Sequence, residues 1–254
     1  MAMDNIALFN RSEDYFSTSI ARRIRDFDGV ASAYSSDVKG EPQNALVIRT
    51  KAPSLKELLK EAGDFFALTD TPWCIAMRAI LVNQEVENVL NDYGFNPADV
   101  SVAMVLELDK MPFVESNDAL VKNMDTNLVQ WAIPLRAYPQ TSDEINLQYG
   151  KSHELALNNK RNVTHLSLFD HHEIISSLTL SWNDTWARID DVATLPDYQG
   201  KGYATKLMKY GIRLAFEKGA GVCFLEASPK GISIYRKLGF VELFKNQVFI
   251  KKQS

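Results

Sequence analysis

Residues 191–205, DVATLPDYQGKGYAT, constrain the chain more than any other stretch. An alternating run at 186–195 reads as a strand. Pro196 and two glycines, Gly200 and Gly202, then turn the backbone, and apolar residues at helical spacing follow from about 202 to 218. Glycine lets successive N–H groups converge, because no Cβ blocks the turn. The helix start adds unpaired N–H groups and the positive end of the helix dipole. That order of strand, glycine turn and helix makes either an anion site sized for a pyrophosphate or a plain strand-to-helix turn. Two other phosphate motifs fail. A P-loop needs a glycine five residues before its Gly-Lys pair, but Ile145 precedes Gly150-Lys151 and Leu195 precedes Gly200-Lys201. The dinucleotide fingerprint G-x-G-x-x-G breaks at Thr205.

The remainder of the second half reads as a strand at 128–138, with Pro134 marking an edge or bulge, and then a helix at 143–159 capped by Ser142. Strands follow at 163–169 and 174–182 around a turn at 170–173. After the glycine turn and its helix come a buried strand at 221–227, a short helix at 230–238 and a closing strand at 241–250. In the first half a helix is expected at 12–27, its solvated face carrying Arg22, Arg23 and Arg25. Strands are expected at 30–35, 45–50, 73–77 and 100–108, and helices at 54–66 and 82–92. The mixed, polar stretch 111–127 is the candidate linker, dividing the chain into 1–125 and 126–254. Each half closes with helix, glycine, phenylalanine and strand: Tyr93-Gly94-Phe95 and Leu238-Gly239-Phe240. Both glycines fall just past a helix, where a left-handed backbone is wanted. The halves are either copies of one unit or carry two unrelated turns of the same kind.

Composition narrows the partners. The 254 residues are 46% hydrophobic and 24% charged with net charge −4, and the basic residues are spread along the chain, which argues against nucleic acid. No apolar run approaches the ~20 residues that span a bilayer. Residues 1–9 lack the basic and apolar regions of a signal peptide. Cys74 and Cys223 lie in separate apolar strands, which suits a reducing cytoplasm. No metal site is expected. His171-His172-Glu173 clusters only locally, and His153-Glu154 is followed by Leu157 where an HExxH motif has its second histidine. Cys223, flanked by apolar residues, reads as core rather than nucleophile.

The pattern Gln199-x-x-Gly202-x-Ala204 resembles the Q/R-x-x-G-x-G/A motif of the GNAT acyltransferases. A second block, Ala227-Ser228-Pro229-Lys230-Gly231 followed by Tyr235 and Gly239-Phe240, resembles the family's A-S/N-x-x-G/A-x-x-x-Y-x-x-x-G-F at the family's spacing. The resemblance covers about 126–254 and does not extend by motif to the first half. It implies a GNAT fold in the α/β (α+β) class, with a mixed, mostly antiparallel sheet flanked by helices. It also implies acetyl transfer from acetyl-CoA to the amine of a small-molecule or peptide acceptor, by a cytoplasmic monomer or homodimer. Backbone groups of Val192, Ala193 and Thr194 would pair with the pantetheine arm like an added strand. Gln199 opens the motif, and the amides of Gly200, Lys201, Gly202, Tyr203, Ala204 and Thr205 would hold the pyrophosphate. Ser228 would contact the pantetheine.

The resemblance also assigns chemistry. Tyr235 would protonate the leaving thiolate, or else only pack its helix. Family members often place a base nine or eleven residues ahead of the motif's first position, here Asp190 and Arg188. Arginine cannot serve near neutrality, so Asp190 is the candidate base, directly or through water. Asp191 faces away unless a bulge intervenes. Arg188 either binds an acidic group of the acceptor or pairs with Asp190. A bulge N–H near Val192 or Ala193 would meet the developing oxyanion. The alternative is a non-catalytic acyl-CoA sensor or interaction module. The first half would be a degenerate GNAT-like unit without a cofactor motif, because residues 50–72 hold only Gly63. It would either cover the acceptor side, as a subunit does in a symmetric dimer, or stand as an independent scaffold.

Overall fold

The computed structural model describes residues 4–40, 44–110, 119–138 and 141–251. The first half runs α1 (Asn5–Ile20), β1 (Arg23–Phe27), β2 (Ala31–Ser35), β3 (Asn44–Ile48), α2 (Leu55–Ala67), β4 (Cys74–Arg78), α3 (Gln84–Asp92) and β5 (Phe95–Glu107). The second runs β6 (Val121–Asn123), α4 (Leu128–Trp131), α5 (Asp143–Asn158), β7 (Val163–Asp170), β8 (Glu173–Trp182), β9 (Trp186–Thr194), α6 (Tyr203–Glu217), β10 (Val222–Ala227), α7 (Ile232–Lys237) and β11 (Val241–Lys251).

These elements form two compact units, residues 1–20 with 103–243 and residues 21–102 with 244–254. The expected boundary at 125/126 therefore falls inside the larger unit. Two features explain the difference. Helix α1 packs with the second half: Arg161 donates to Tyr15 O at 3.3 Å and to Ser19 Oγ at 3.0 Å, and its guanidinium lies 3.9 Å from the Tyr15 ring centroid. In addition, the last strand of each half serves the other half's unit. Residues 103–107 of β5 neighbour β10 in the larger unit, and β11 pairs antiparallel with β4 in the smaller one. Of the expected linker, 111–118 lies outside the described residues, and the remainder holds β6 and the α4 cap residue Asn127.

In the smaller unit β1, β2 and β3 are antiparallel neighbours, and β3 continues through α2 into the parallel β4. Its core holds Leu46, Phe66, Trp73, Leu90, Phe95 and Phe249, with Phe66 and Trp73 stacked at 4.6 Å. The helix expected at 12–27 ends at Ile20, and β1 takes its second part. Asp28 (φ +52°) and Gly29 (φ +71°) are the central residues of a tight hairpin turn, whose primed geometry asks for positive φ at both positions. The arginine cluster therefore lies on a strand edge. Arg23 donates to Phe65 O at 2.8 Å and Thr69 Oγ1 at 2.6 Å, fixing the C-terminal end of α2.

In the larger unit β7, β8 and β9 form an antiparallel meander, and β9 continues through α6 into the parallel β10. The strand expected at 128–138 is instead α4 followed by a 3-10 turn, Ile133–Ala137. Asn127 caps α4 by accepting from Gln130 N, and Leu128, Trp131, Ala132 and Leu135 recur at helical spacing to enter the core. Ile133 and Pro134 interrupt the helical period and hide it in the sequence.

Candidate functional site

Strand β9 carries an irregularity at its centre. Thr179 pairs with Asp190 and Ser177 with Ala193, so one residue of β8, Leu178, faces two of β9, Asp191 and Val192. Asp191 takes φ +57°, as the extra residue of such a bulge often does. The bulge turns Asp191 to the same face as Asp190, the face covered by α1 and α5. On that face Tyr149 on α5 donates to Asp191 Oδ1 at 2.8 Å, and the Arg188 guanidinium lies 5.0 Å from the Phe9 ring centroid on α1.

Arg188 pairs with Asp190. Its Nε donates to both Asp190 oxygens, at 2.9 and 3.0 Å, while Nη1 is buried without a hydrogen-bond partner among the described residues. Burial pushes the Asp190 carboxyl up to about 7 despite the opposing pull of the Arg188 charge, and the neighbouring Asp191 charge pushes in the same direction. Burial also raises Asp191, against hydrogen bonds from Thr179 and Tyr149. Asp190 and Asp191 are thus two adjoining buried carboxyls, both held above the ordinary carboxylate range.

The β9–β10 ladder joins Trp186–Arg188 to Val222–Phe224 and ends there. Beyond it no ladder pair joins β10 to Val192, Ala193 and Thr194 among the described residues. Their carbonyls already accept internal bonds, from Tyr138 Oη (3.0 Å), Ser176 Oγ (2.8 Å) and Gln199 Nε2 (3.0 Å) respectively. A carbonyl oxygen has two lone pairs, so these bonds do not close it to a second donor. The Gln199 bond shows what the first position of the motif does: it clamps the glycine turn to the end of β9.

Helix α6 opens on Gly202 at φ +84° with no side-chain cap. Its own hydrogen bonding begins when Lys206 N reaches Gly202 O at 3.0 Å, which leaves the amides of Tyr203, Ala204 and Thr205 without helical partners. No acidic residue stands in the first turn, and a Cβ built on Gly200 or Gly202 would meet nothing within 4 Å. An open, uncapped helix start of this kind fits a pyrophosphate. Tyr203 donates to Asp170 at 3.0 Å and Lys201 lies over the Tyr198 ring, so these two side chains pack along the outside of the turn.

Ser228 opens the turn after β10, its carbonyl accepting from Gly231 N at 2.9 Å. Tyr235 on α7 is 9% exposed. Burial, reinforced by the Asp190 charge, pushes its phenol up to about 12, so it holds its proton at neutral pH. Gly231 is a matter of space: a Cβ there would come within 2.8 Å of Tyr235 Cε2. Cys223 is fully buried, and burial raises its thiol far out of the nucleophilic range.

One cluster escaped the sequence reading. His153 on α5 and His165 on β7 meet at 2.8 Å, and His165 also meets Asp125 at 2.8 Å. The signal was present, since His165 sits mid-strand in an apolar run and His153 follows Tyr149 at i+4, but neither matches a metal or triad spacing. Among the described residues no group of three or more His, Cys, Asp and Glu side chains could hold a metal ion, and no helix is long and apolar enough to cross a membrane.

Residues 127–240 match the model of the Acetyltransferase (GNAT) family. Of curated proteins, none matches the chain. Solved structures similar to it include a functionally unknown conserved protein from Staphylococcus epidermidis (14% identity, 91% of this chain and 94% of that one, TM-score 0.67). A GCN5-related N-acetyltransferase from Kribbella flavida is also similar (15% identity, 96% of each chain, TM-score 0.65). A tandem GNAT protein from the clavulanic acid biosynthesis pathway is similar over 87% of this chain and 78% of that one (12% identity, TM-score 0.53). The fold is thus the GNAT fold, and residues 127–240 carry the match to the GNAT family model.

Proposed function

We propose that this GNAT-family domain transfers an acetyl group from acetyl-CoA directly to an amine. The observation that carries the reading is the uncapped start of α6, placed where β9 loses β10 as a neighbour. The amides of 200–205 would hold the pyrophosphate, and the open edge at 192–194 and Ser228 the pantetheine. Acetyl-CoA supplies the activated acyl group. The domain supplies proximity and orientation. Asp190, ionised above about 7, takes the amine's proton, and Arg188 holds that carboxylate in place. A bulge N–H near Val192 or Ala193 meets the oxyanion, and Tyr235 returns a proton to the departing sulfur.

The tandem GNAT neighbour and the repeated strand–helix–parallel-strand order support reading the smaller unit as a degenerate GNAT-like copy without a cofactor site. A cytoplasmic enzyme that acts without nucleic acid, membrane or metal, as monomer or homodimer, remains the expectation. Thiol release from acetyl-CoA with a panel of primary amines tests the activity. Tight acetyl-CoA binding with no amine-dependent release would overturn it and favour a non-catalytic acyl-CoA sensor.

A further inference from the structure

Behind the bulge lies a buried line of polar side chains that the transfer reaction has not used. Asp125 Oδ1 accepts from the His165 backbone N–H at 2.8 Å and sits 2.8 Å from His165 Nδ1. Its Oδ2 accepts from Asn123 at 2.7 Å and Thr164 at 3.0 Å. His165 Nε2 lies 2.8 Å from His153 Nδ1. His153 Nε2 has no hydrogen-bond partner among the described residues and lies 3.8 Å from Asp191 Oδ2. Both imidazoles are fully buried, with Trp131 at 4.7 and 4.9 Å and Phe16 and Tyr149 against His153.

The hydrogen bonds select one arrangement of protons. An ionised Asp125 can only accept, so His165 carries its proton on Nδ1 and presents a lone pair at Nε2. That lone pair takes the Nδ1–H of His153. His153 is left with a bare Nε2 directed at Asp191. Burial would raise the Asp125 carboxyl, but the bonds from His165 and Asn123 outweigh it and hold it low, consistent with this assignment. Burial, with the facing His165, keeps the resting His153 neutral. The charged or titratable groups that face Asp191 are Asp190, Arg188 and His165.

We propose that Asp191, His153, His165 and Asp125 form a proton path that drains the bulge, carrying the amine's proton from the reaction cleft to the β6 edge of the larger unit. This deepens the transferase reading and rests on it. An amine N–H breaks and a proton joins the coupled Asp190/Asp191 pair. The Asp191 O–H then breaks as His153 Nε2–H forms, and His153 Nδ1–H breaks as His165 Nε2–H forms. His165 becomes an imidazolium against the Asp125 carboxylate. His165 Nδ1–H passes to Asp125, whose side chain is 26% exposed, and from there to water. No oxidant or second reactant is required, and both imidazoles, each left with its proton on Nε2, regain the resting tautomer by rotation of the rings before the next proton passes. The 3.8 Å gap at His153 must close to about 3 Å, or take a water, for the second step. His153, His165 and Asp125 are positioning residues, because they act through Asp191.

The test has two arms. Nitrogen-15 NMR of the unmodified protein reads the tautomers: the proposal requires His165 protonated at Nδ1 and His153 bare at Nε2, and a proton resting on His153 Nε2 overturns it. Kinetics with acetyl-CoA and the best amine of the panel form the second arm. His153→Gln should lower kcat by about 10²-fold, in the range of a lost acid–base component, with acetyl-CoA affinity unchanged. It should also abolish the curvature of kcat in mixtures of H2O and D2O that several protons in flight produce. His165→Asn should do the same, and serves if the first variant does not fold. Wild-type kcat in either folded variant, or a linear dependence in the unmodified protein, sinks the path. Absence of amine turnover in the wild type counts against the transferase reading instead, and the tautomers then decide the path alone.

Discussion

Helices α2 and α6 follow matching courses, each leaving a sheet strand and returning to a parallel neighbour, yet their starts differ chemically. Ser54 caps α2 by accepting from Glu57 N at 3.3 Å, and Glu57 stands in the first turn, so the dipole is satisfied by the chain itself. Helix α6 starts on a glycine with neither cap nor carboxylate. The strands that precede them differ as well: β3 pairs with β2 in unbroken register, whereas β9 is bulged at Asp191. Four residues before the closing glycine the larger unit has Tyr235, and the smaller has the fully buried Leu90. The two units thus share a strand–helix–parallel-strand course and differ at three local points, because the sheet and the crossover helix depend on apolar periodicity, while the proposed site depends on local departures from regularity.

Removing one departure at a time should move the larger unit toward the smaller. The largest effect is expected from Tyr235→Phe, which gives the α7 position an aromatic ring without its proton. kcat should fall by about 10²-fold, with acetyl-CoA affinity nearly unchanged. A wild-type rate would mean that Tyr235 packs its helix as Leu90 does. Gly202→Val comes next. A branched side chain at φ +84° is strained, at roughly 1–2 kcal/mol, and relieving that strain would turn the amides away. Acetyl-CoA affinity by calorimetry should weaken about tenfold or more, on the scale of about 1.4 kcal/mol per decade. Unchanged affinity would place the pyrophosphate elsewhere.

A smaller, graded effect comes from pH. Asp190 sits at about 7, above an ordinary carboxyl, and takes a proton only when ionised. Turnover at saturating acetyl-CoA should therefore rise with pH through about 7 and then level, and Asp190→Asn should remove that limb while lowering the rate. A wild-type profile that is flat from pH 5 to 8 would exclude Asp190 as the base.

Much of this comparison was legible in the sequence. Pro196, Gly200 and Gly202 and the Tyr235–Gly239 spacing marked the cofactor-side motif, and the helix–glycine turns at Gly94 and Gly239 have the left-handed backbone expected, φ +84° and +96°. What escaped depends on long-range pairing. The bulge at Asp191 is a register difference between two strands, and it shows only once Leu178 is set opposite two residues. The placement of β5 and β11 leaves no local trace, since nothing in either strand's own residues says which strand it pairs with. The histidine pair depends on α5 packing on β7, twelve residues away in sequence. At 23–27 the strand does have a local signal, because Asp28-Gly29 marks a hairpin turn on its own.

The smallest expected effect examines the other side of the comparison. Ser54→Ala removes the oxygen that accepts from Glu57 N and leaves the start of α2 uncapped, as α6 is. A lost N-cap costs about 1 kcal/mol, so the smaller unit should unfold at slightly lower denaturant. An uncapped start is not sufficient for a phosphate cradle, however. The approach to α2, residues 49–54, holds no glycine to converge the preceding amides, and the Glu57 carboxylate remains. The variant should therefore bind one acetyl-CoA per chain with unchanged affinity, as should the parent. A second binding event in a calorimetric titration, in either protein, would show that α2 kept a cofactor function despite its cap.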